Sequence, residues 1–162
     1  MRWIASAGGP LLLVPETVVH QWHGVSEGGG DYAAACAIDD YVGVFRWNGV
    51  DVLVLNDEPL ATACLATGLT VFLRWVYGPS EGAVMSAVQE LVHYLPQQQS
   101  GVVFDCRTTR YILFDAGAPG RSVVEKLEVE IVPGSYVVET HVVNPNDHVE
   151  LIAHVLRSAT DS

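Results

Sequence analysis

The stretch YVGVFRWNGVDVLVL, Tyr41 to Leu55, decides the fold of this 162-residue chain. Two runs rich in valine and aromatic residues flank Asn48-Gly49, and residues of those types favour strands. An Asn-Gly pair readily adopts the positive φ angles that a two-residue type I′ turn requires. The stretch therefore predicts an antiparallel β-hairpin with an exposed turn, and we expect this hairpin to be a central element.

More strands are predicted on both sides of the hairpin. Residues 2–6 and 11–14 indicate a short strand and a buried strand before it, and residues 69–77 indicate a strand after it. Two further hairpins are expected downstream, because pairs of apolar runs flank short polar or Pro-Gly connections. They would pair residues 101–106 with 110–115, and residues 125–132 with 135–143 through Pro133-Gly134.

Helices are expected in four places. Apolar residues recur at helical spacing after Pro15 and before Gly24, and again over residues 80–95, where Pro96 would end the helix. Asp31 can cap a short helix over residues 32–38. Asn144 can cap a C-terminal helix that begins at Pro145. Glu150 and His154 would form a pair on its surface. Its buried stripe would consist of Val149, Ile152, Ala153 and Leu156.

These elements predict an α+β fold. Hairpins outnumber helices and no β-α-β repeat recurs, so we expect a largely antiparallel sheet of hairpins with a few packed helices. The length and the hydrophobic fraction of 49% suit one domain spanning residues 1–162.

The charge of the chain is strongly negative. Asp and Glu number 19 against 8 Lys and Arg, for a formal net charge of −11, and the excess lies in residues 1–60 and 122–162. Binding to nucleic-acid phosphates requires Lys and Arg, so we expect no nucleic-acid partner. An acidic surface would steer a basic protein partner, although acidity also serves solubility alone.

The cysteines and the N-terminus predict a cytoplasmic protein. Cys36, Cys64 and Cys106 are odd in number and form no CxxC pair, which favours buried free thiols in a reducing compartment. Gly8, Gly9 and Pro10 interrupt the N-terminal apolar residues, so neither a signal peptide nor a membrane span is expected.

Known catalytic and cofactor motifs are missing from the sequence. The Gly8-Gly9-Pro10 stretch precedes a strand and lacks the lysine of a phosphate-binding loop, so it predicts a tight turn. His20 and His23, with Glu16 upstream, do not have the spacing of a zinc-binding HExxH helix. No GxSxG nucleophile elbow is present. We therefore expect no catalytic residue, no metal ion and no cofactor.

Acidic residues cluster around the first hairpin. Asp39-Asp40 immediately precedes it and Asp57-Glu58 immediately follows it. Antiparallel pairing places the start of one strand beside the end of the next, so these four carboxylates should gather at one end of the hairpin, with Asp31 nearby. Such acids can serve turn formation, protein docking, or acid–base and metal chemistry.

Several motifs in the N-terminal half resemble a known family. The segments WIASAGGPLLLVP, WHG, DYAAAC, DDYVGV, VLVLNDEP and LRWVYG, between Trp3 and Gly78, are similar to those of the bacterial polymorphic-toxin immunity proteins of the immunity protein 21 family. The residues that match the pattern are Trp3, Gly8, Gly9, Pro10, Trp22, Gly24, Asp31, Tyr32, Asp39, Asp57 and Pro59.

The resemblance implies a cytoplasmic antidote that binds and blocks the C-terminal domain of a cognate toxin and has no catalytic residues. An acidic protein suits a basic toxin domain, and the candidate toxin-binding residues are Asp31, Asp39, Asp40, Asp57 and Glu58. Two alternatives remain at this stage: a small hydrolase or metal-dependent enzyme that uses the four hairpin acids, and a generic ligand-binding domain.

Overall fold

The secondary structure is dominated by strands. The computed structural model describes residues 1–25, 30–56, 58–91, 95–97 and 100–160, and the elements below are those of this part of the chain. The strands are β1 (Leu11–Pro15), β2 (Val42–Trp47), β3 (Val50–Leu55), β4 (Ala61–Ala66), β5 (Thr70–Tyr77), β6 (Val102–Cys106), β7 (Arg110–Asp115), β8 (Lys126–Glu130), β9 (Gly134–Asn146) and β10 (Val149–Ser158). The helices are α1 (Asp31–Cys36) and α2 (Glu81–Leu91), with 3-10 turns at Val19–Gln21 and Gly120–Ser122.

The strands form two antiparallel five-stranded sheets. Sheet I has the order β2-β3-β1-β7-β8, and sheet II has the order β4-β5-β10-β9-β6. The largely antiparallel pairing expected from the sequence is confirmed. The predicted α+β class fits only loosely, because the described residues form mostly strands, in two sheets instead of one, and fewer helices than expected.

The hairpin of residues 41–55 is present as predicted. Val42 pairs with Leu55 and Trp47 pairs with Val50, which leaves Asn48-Gly49 as a two-residue turn. Both turn residues have positive φ, 48° at Asn48 and 78° at Gly49, as a type I′ turn requires. The expectation of a central pair holds for β3, which also pairs with β1, but not for β2, which is the edge strand of sheet I.

The two sheets pack face to face around a shared core. Alternate residues of β1, β3 and β7 project from sheet I toward Phe72, Phe104, Val138 and Leu156 of sheet II. The outer face of sheet I is covered by the chain around Trp22 and by α1, and the outer face of sheet II is covered by α2 through Val84, Ala87 and Val88. The central strands are therefore buried on both faces, and they have continuous apolar sequences such as LLLV, VLVL and YILF.

Two of the predicted hairpins are wrong, although their strands are correct. The strand β6 pairs with β9 rather than with β7, and β8 pairs with β7 rather than with β9. The connections after β6 and after β8 cross from one sheet to the other, so neither joins neighbouring strands. Gly134 lacks the positive φ that a type II turn requires there, and it is already the first residue of β9.

The predicted C-terminal helix is also wrong. Residues 149–158 form β10, which pairs with both β9 and β5. A strand that is buried on both faces places apolar residues at helical spacings as well as at every second position, so the pattern alone does not separate the two structures. The proposed surface pair fails with the helix, because His154 is completely buried within the sheet while Glu150 is partly exposed.

The N-terminal elements are shorter than predicted. Residues 2–6 contribute one isolated bridge, between Ile4 and Thr62, rather than a strand. Pro15 ends β1 instead of opening a helix, and only Val19–Gln21 form a 3-10 turn. The helix predicted over residues 80–95 is confirmed for Glu81–Leu91; residues 92–94 lie outside the described part of the chain.

The cysteines are free, as expected, but they are not all buried. Cys106 lies in the core and Cys64 is partly buried, whereas Cys36 is exposed at the end of α1. Burial raises the pKa of the Cys64 thiol to about 12, which keeps it protonated and unreactive at neutral pH. The expectation of three buried thiols is therefore wrong for Cys36, because α1 packs through Ala35 and turns Cys36 to solvent.

The different burial of two paired residues in sheet II leads to a stability prediction. Ile152 on β10 is 4% exposed, whereas Val142, directly opposite on β9, is 53% exposed. Ile152→Ala should lower the free energy of unfolding by about 2–5 kcal/mol, because it leaves a cavity in the core. Val142→Ala, the matched control, should cost less than about 1 kcal/mol. Urea denaturation of both variants tests this, and equal losses would show that the inner face at Ile152 is not tightly packed.

Candidate functional site

The acid-bearing segments meet at the open end of the β2–β3 hairpin. The Asn56 backbone N–H donates to the Tyr41 carbonyl at 3.0 Å, which extends the hairpin by one bond beyond the Val42–Leu55 pair. The Asn56 side-chain amide donates to the Ile38 carbonyl. The chain before β2 and the chain after β3 are therefore adjacent, as antiparallel pairing predicted.

The acids at this end face solvent. Asp39, Asp40 and Glu58 are all exposed, and Asp57 lies outside the described residues. Asp40 accepts a hydrogen bond from the Tyr41 backbone N–H at 2.7 Å, which also stabilises the loop. The described carboxylates are thus available to a partner at the molecular surface.

Asp31 has a different environment. It is the first residue of α1 rather than its cap, and its half-buried carboxylate contacts the Trp47 indole N–H at 3.2 Å and His23 Nδ1 at 3.0 Å. Trp47 adjoins the hairpin turn, about 17 Å along the strand from Val42 at about 3.3 Å per residue. The structure therefore places Asp31 away from the acids at the open end, where it fastens α1 to the hairpin turn.

A buried arginine anchors the loop that carries Glu58. Arg74 on β5 is 1% exposed, and its guanidinium donates to the backbone carbonyls of Asn56 and Glu58. The sequence analysis predicts a strand over residues 69–77 but does not single out Arg74 within it. The available signal is the lone charge in LTVFLRWVY, a stretch that is otherwise apolar except at Thr70.

The same inner face of sheet II contains a buried histidine. His154 Nδ1 lies 2.9 Å from the Thr140 hydroxyl, and His154 Nε2 has no hydrogen-bond partner within the described part of the chain. Burial, with smaller contributions from the charges of Arg74 and His141, lowers the pKa of His154 to about 3. The imidazole is therefore neutral at physiological pH.

A second buried polar group lies on the outer face of sheet II. Glu139 is 1% exposed and accepts from Arg157 Nε at 2.8 Å, and its same carboxylate oxygen lies 3.2 Å from His141 Nε2. Arg157 also donates to the Leu95 carbonyl at 3.0 Å. These bonds fasten the chain that follows α2 to the sheet, so the cluster has a structural role.

The described residues offer few features of an enzyme site. Within residues 1–25, 30–56, 58–91, 95–97 and 100–160, no group of three His, Cys, Asp or Glu side chains is placed to hold a metal ion. A surface cavity of about 470 Å³ lies at the β9–β10 turn, and none of the predicted site residues lines it. Its lining consists of Tyr77, Asn144, Pro145, Asn146, Asp147, Val149 and Glu150. No helix in the described part of the chain is long and apolar enough to cross a membrane.

Comparison with protein families agrees with the motifs of the N-terminal half. The model of the immunity protein 21 family matches residues 2–149. The chain belongs to this family. The match covers both acid-bearing segments and Arg74, and it ends at the first residue of β10. No curated protein and no solved structure matches the chain.

The buried histidine of this immunity protein 21 family member leads to a pH prediction. The unfolded chain binds a proton at His154 near pH 6.5, whereas the folded protein does so only near pH 3. The full stability is therefore present above about pH 6.5 and is lost as the pH falls toward 3, because the proton binds the unfolded chain more tightly than the folded protein. In this range the free energy of unfolding falls by at most about 1.4 kcal/mol per pH unit.

Urea unfolding between pH 4 and pH 8 tests this prediction. His154→Gln should reduce the dependence of the free energy of unfolding on pH below 6.5, because glutamine does not titrate. His20→Gln, at an exposed position, is the control and should leave the wild-type dependence intact. An unchanged slope in His154→Gln would show that another group causes the acid sensitivity.

Proposed function

We propose that this protein is an antidote that binds the C-terminal domain of a cognate polymorphic toxin and blocks its activity. Membership of the immunity protein 21 family is the observation that carries the proposal. The net charge of −11 supports a basic toxin domain as the partner, since oppositely charged surfaces attract and align during association. We further propose that the chain acts as one domain in the cytoplasm, without a cofactor.

The open end of the β2–β3 hairpin is the proposed docking surface. Asp39, Asp40 and Glu58 are exposed there, and Asp57 lies between Asn56 and Glu58 in the sequence. Asp31 belongs to the candidate set from the sequence, but its internal contacts at the hairpin turn favour a structural role. The docking surface therefore consists of the two loops that flank the hairpin.

Sheet II places further acids at the same end of the molecule. The strand β4 starts three residues after Glu58, and its first residue, Ala61, pairs with Trp75, which pairs with Leu151 near the start of β10. The β9–β10 turn, with Asp147, and the nearby Glu150 of β10 therefore lie at the same end of sheet II as the Glu58 loop. This arrangement supports one acidic end that can cover a cationic cleft.

The proposed mechanism combines electrostatic attraction with steric occlusion of the toxin. Exposed carboxylates accelerate encounter with a basic surface, and this effect weakens as salt screens the charges. Once docked, the rigid end of two packed sheets would exclude substrate from the toxin. Catalysis by the same acids is less well supported, because the described ones are exposed, whereas catalytic carboxylates are usually tuned by burial in a cleft.

Neutralising the hairpin acids tests the docking surface. The variant Asp39→Asn, Asp40→Asn, Asp57→Asn, Glu58→Gln should melt within about 3 °C of wild type, because exposed charges contribute little to stability. Its association with the toxin domain should be slower, and the dependence of the association rate on salt should be weaker. Stopped-flow or biosensor kinetics across a salt series measures both quantities.

A charge-matched variant provides the control. Glu90, Glu125, Glu128 and Glu130 are exposed acids of α2 and of the β8 region, and their replacement by Gln removes the same number of charges. This control should retain most of the wild-type association rate. If the two variants associate equally fast, the interface lies elsewhere; if the hairpin variant melts far below wild type, its acids are structural.

Growth rescue tests the antidote function itself. The C-terminal domain of the cognate toxin would be expressed in a bacterial host with and without the protein. Co-expression should restore growth, and an unrelated acidic protein of similar size should not. Failure of the protein to restore growth or to bind that domain would contradict the proposal.

A further inference from the structure

We propose that Arg74 and Asn56 are positioning residues that hold the two acid-bearing loops in register for toxin binding; this inference rests on the function proposed above. Neither side chain needs to touch the toxin. The contacts involved link sheet II, the loop after β3 and the loop before β2 in one chain of hydrogen bonds.

The first link joins Arg74 to the Glu58 loop. The guanidinium is buried on the inner face of sheet II and donates to two carbonyls, those of Asn56 and Glu58, on either side of residue 57. A buried guanidinium is costly unless acceptors satisfy it, so the loop backbone is fixed where these donors lie. The planar group also sets the spacing of the two carbonyls, which a lysine ammonium would not do.

The second link joins Asn56 to the Asp39–Asp40 loop. Asn56 donates from its backbone to the Tyr41 carbonyl at 3.0 Å and from its side chain to the Ile38 carbonyl. These two acceptors flank Asp39 and Asp40 in the sequence. Asn56 therefore contacts both sides of one acidic loop, while its own carbonyl is held by Arg74.

This arrangement connects the rigid sheet to both groups of exposed acids. Neither loop has regular secondary structure in the described part, so hydrogen bonds to Asn56 and Arg74 fix much of its geometry. Preorganised carboxylates bind a matching cationic surface more tightly than mobile ones, because less conformational entropy is lost on association. Loss of either positioning residue should thus weaken binding while every carboxylate remains present.

A double-mutant cycle separates positioning from a merely structural effect. Asn56→Ala should weaken binding of the toxin domain by about 3- to 10-fold in the wild-type background, as expected when coupled residues are disturbed. In the background Asp39→Asn, Asp40→Asn, Glu58→Gln, the same substitution should change the dissociation constant less than about 2-fold. Calorimetric titration would be performed at a temperature where melting curves show every variant to be folded.

Arg74→Lys provides an independent variant, and Arg46→Lys is its control. Arg46 forms an exposed ion pair with Asp51 at 2.8 Å near the turn of the same hairpin, so its conservative replacement should leave toxin binding within about 2-fold of wild type. Arg74→Lys should weaken binding by a factor similar to that of Asn56→Ala. Equal effects of Asn56→Ala in both backgrounds would overturn the inference.

Hydrogen exchange tests the positioning without the toxin. The amides of residues 38–41, 58 and 60 should exchange faster in Asn56→Ala and in Arg74→Lys, whereas amides of β1 and β7 should keep their wild-type protection. Unchanged exchange in the loops would overturn the inference. Absence of toxin binding by the wild-type protein would instead overturn the proposed function, and the exchange comparison would still decide whether these residues hold the loops.

Discussion

Burial of both faces of the central strands is the constraint on which the rest of this structure depends. An antiparallel sheet commonly leaves one face to water, but here sheet I and sheet II each bury an inner face against the other. Their outer faces are buried as well, under the chain around Trp22 and α1 on one side and under α2 on the other. The helical parts of the chain therefore serve as covers, and the strands form the core.

The same constraint determines where polar groups can lie. Among the described residues, exposed acids lie in loops, on edges such as β8 and on the outer side of α2, while the buried polar residues of the sheets form specific hydrogen bonds. Arg74 holds a loop, Glu139 holds the chain after α2, and His154 bonds to Thr140. The contact of Arg74 is the one that connects the described sheet interior to the loop that carries the exposed Glu58.

Local signals predicted part of the fold correctly and left the pairing of strands open. Asn48-Gly49 specifies its own turn, so the hairpin of residues 41–55 was predictable from a few residues. Pro133-Gly134 carries a similar signal but lies at a crossover between sheets, because the partner of β9 is chosen by long-range packing. In residues 149–158, burial on both faces removes the alternation that distinguishes a strand from a helix.

The candidate site was predictable to a similar extent. The pairing rule placed the Asp39–Asp40 and Glu58 loops side by side, and the Asn56–Tyr41 bond agrees with it. The rule could not place Asp31, whose position depends on how α1 packs against Trp47. The rule also could not reveal the role of Arg74, since the contact between β5 and the loop after β3 depends on how sheet II packs against sheet I.

The position of β10 in the chain has a consequence for biosynthesis. This strand is the centre of sheet II, with β5 on one side and β9 on the other, yet it is made after every other strand of the sheet. While the chain emerges from the ribosome, β5 and β9 have no strand between them, and their unpaired edges and apolar faces are open to wrong partners. Sheet II can close only after residue 158 has left the ribosome, so the nascent chain must stay free of aggregation until the whole sheet can form in one late step.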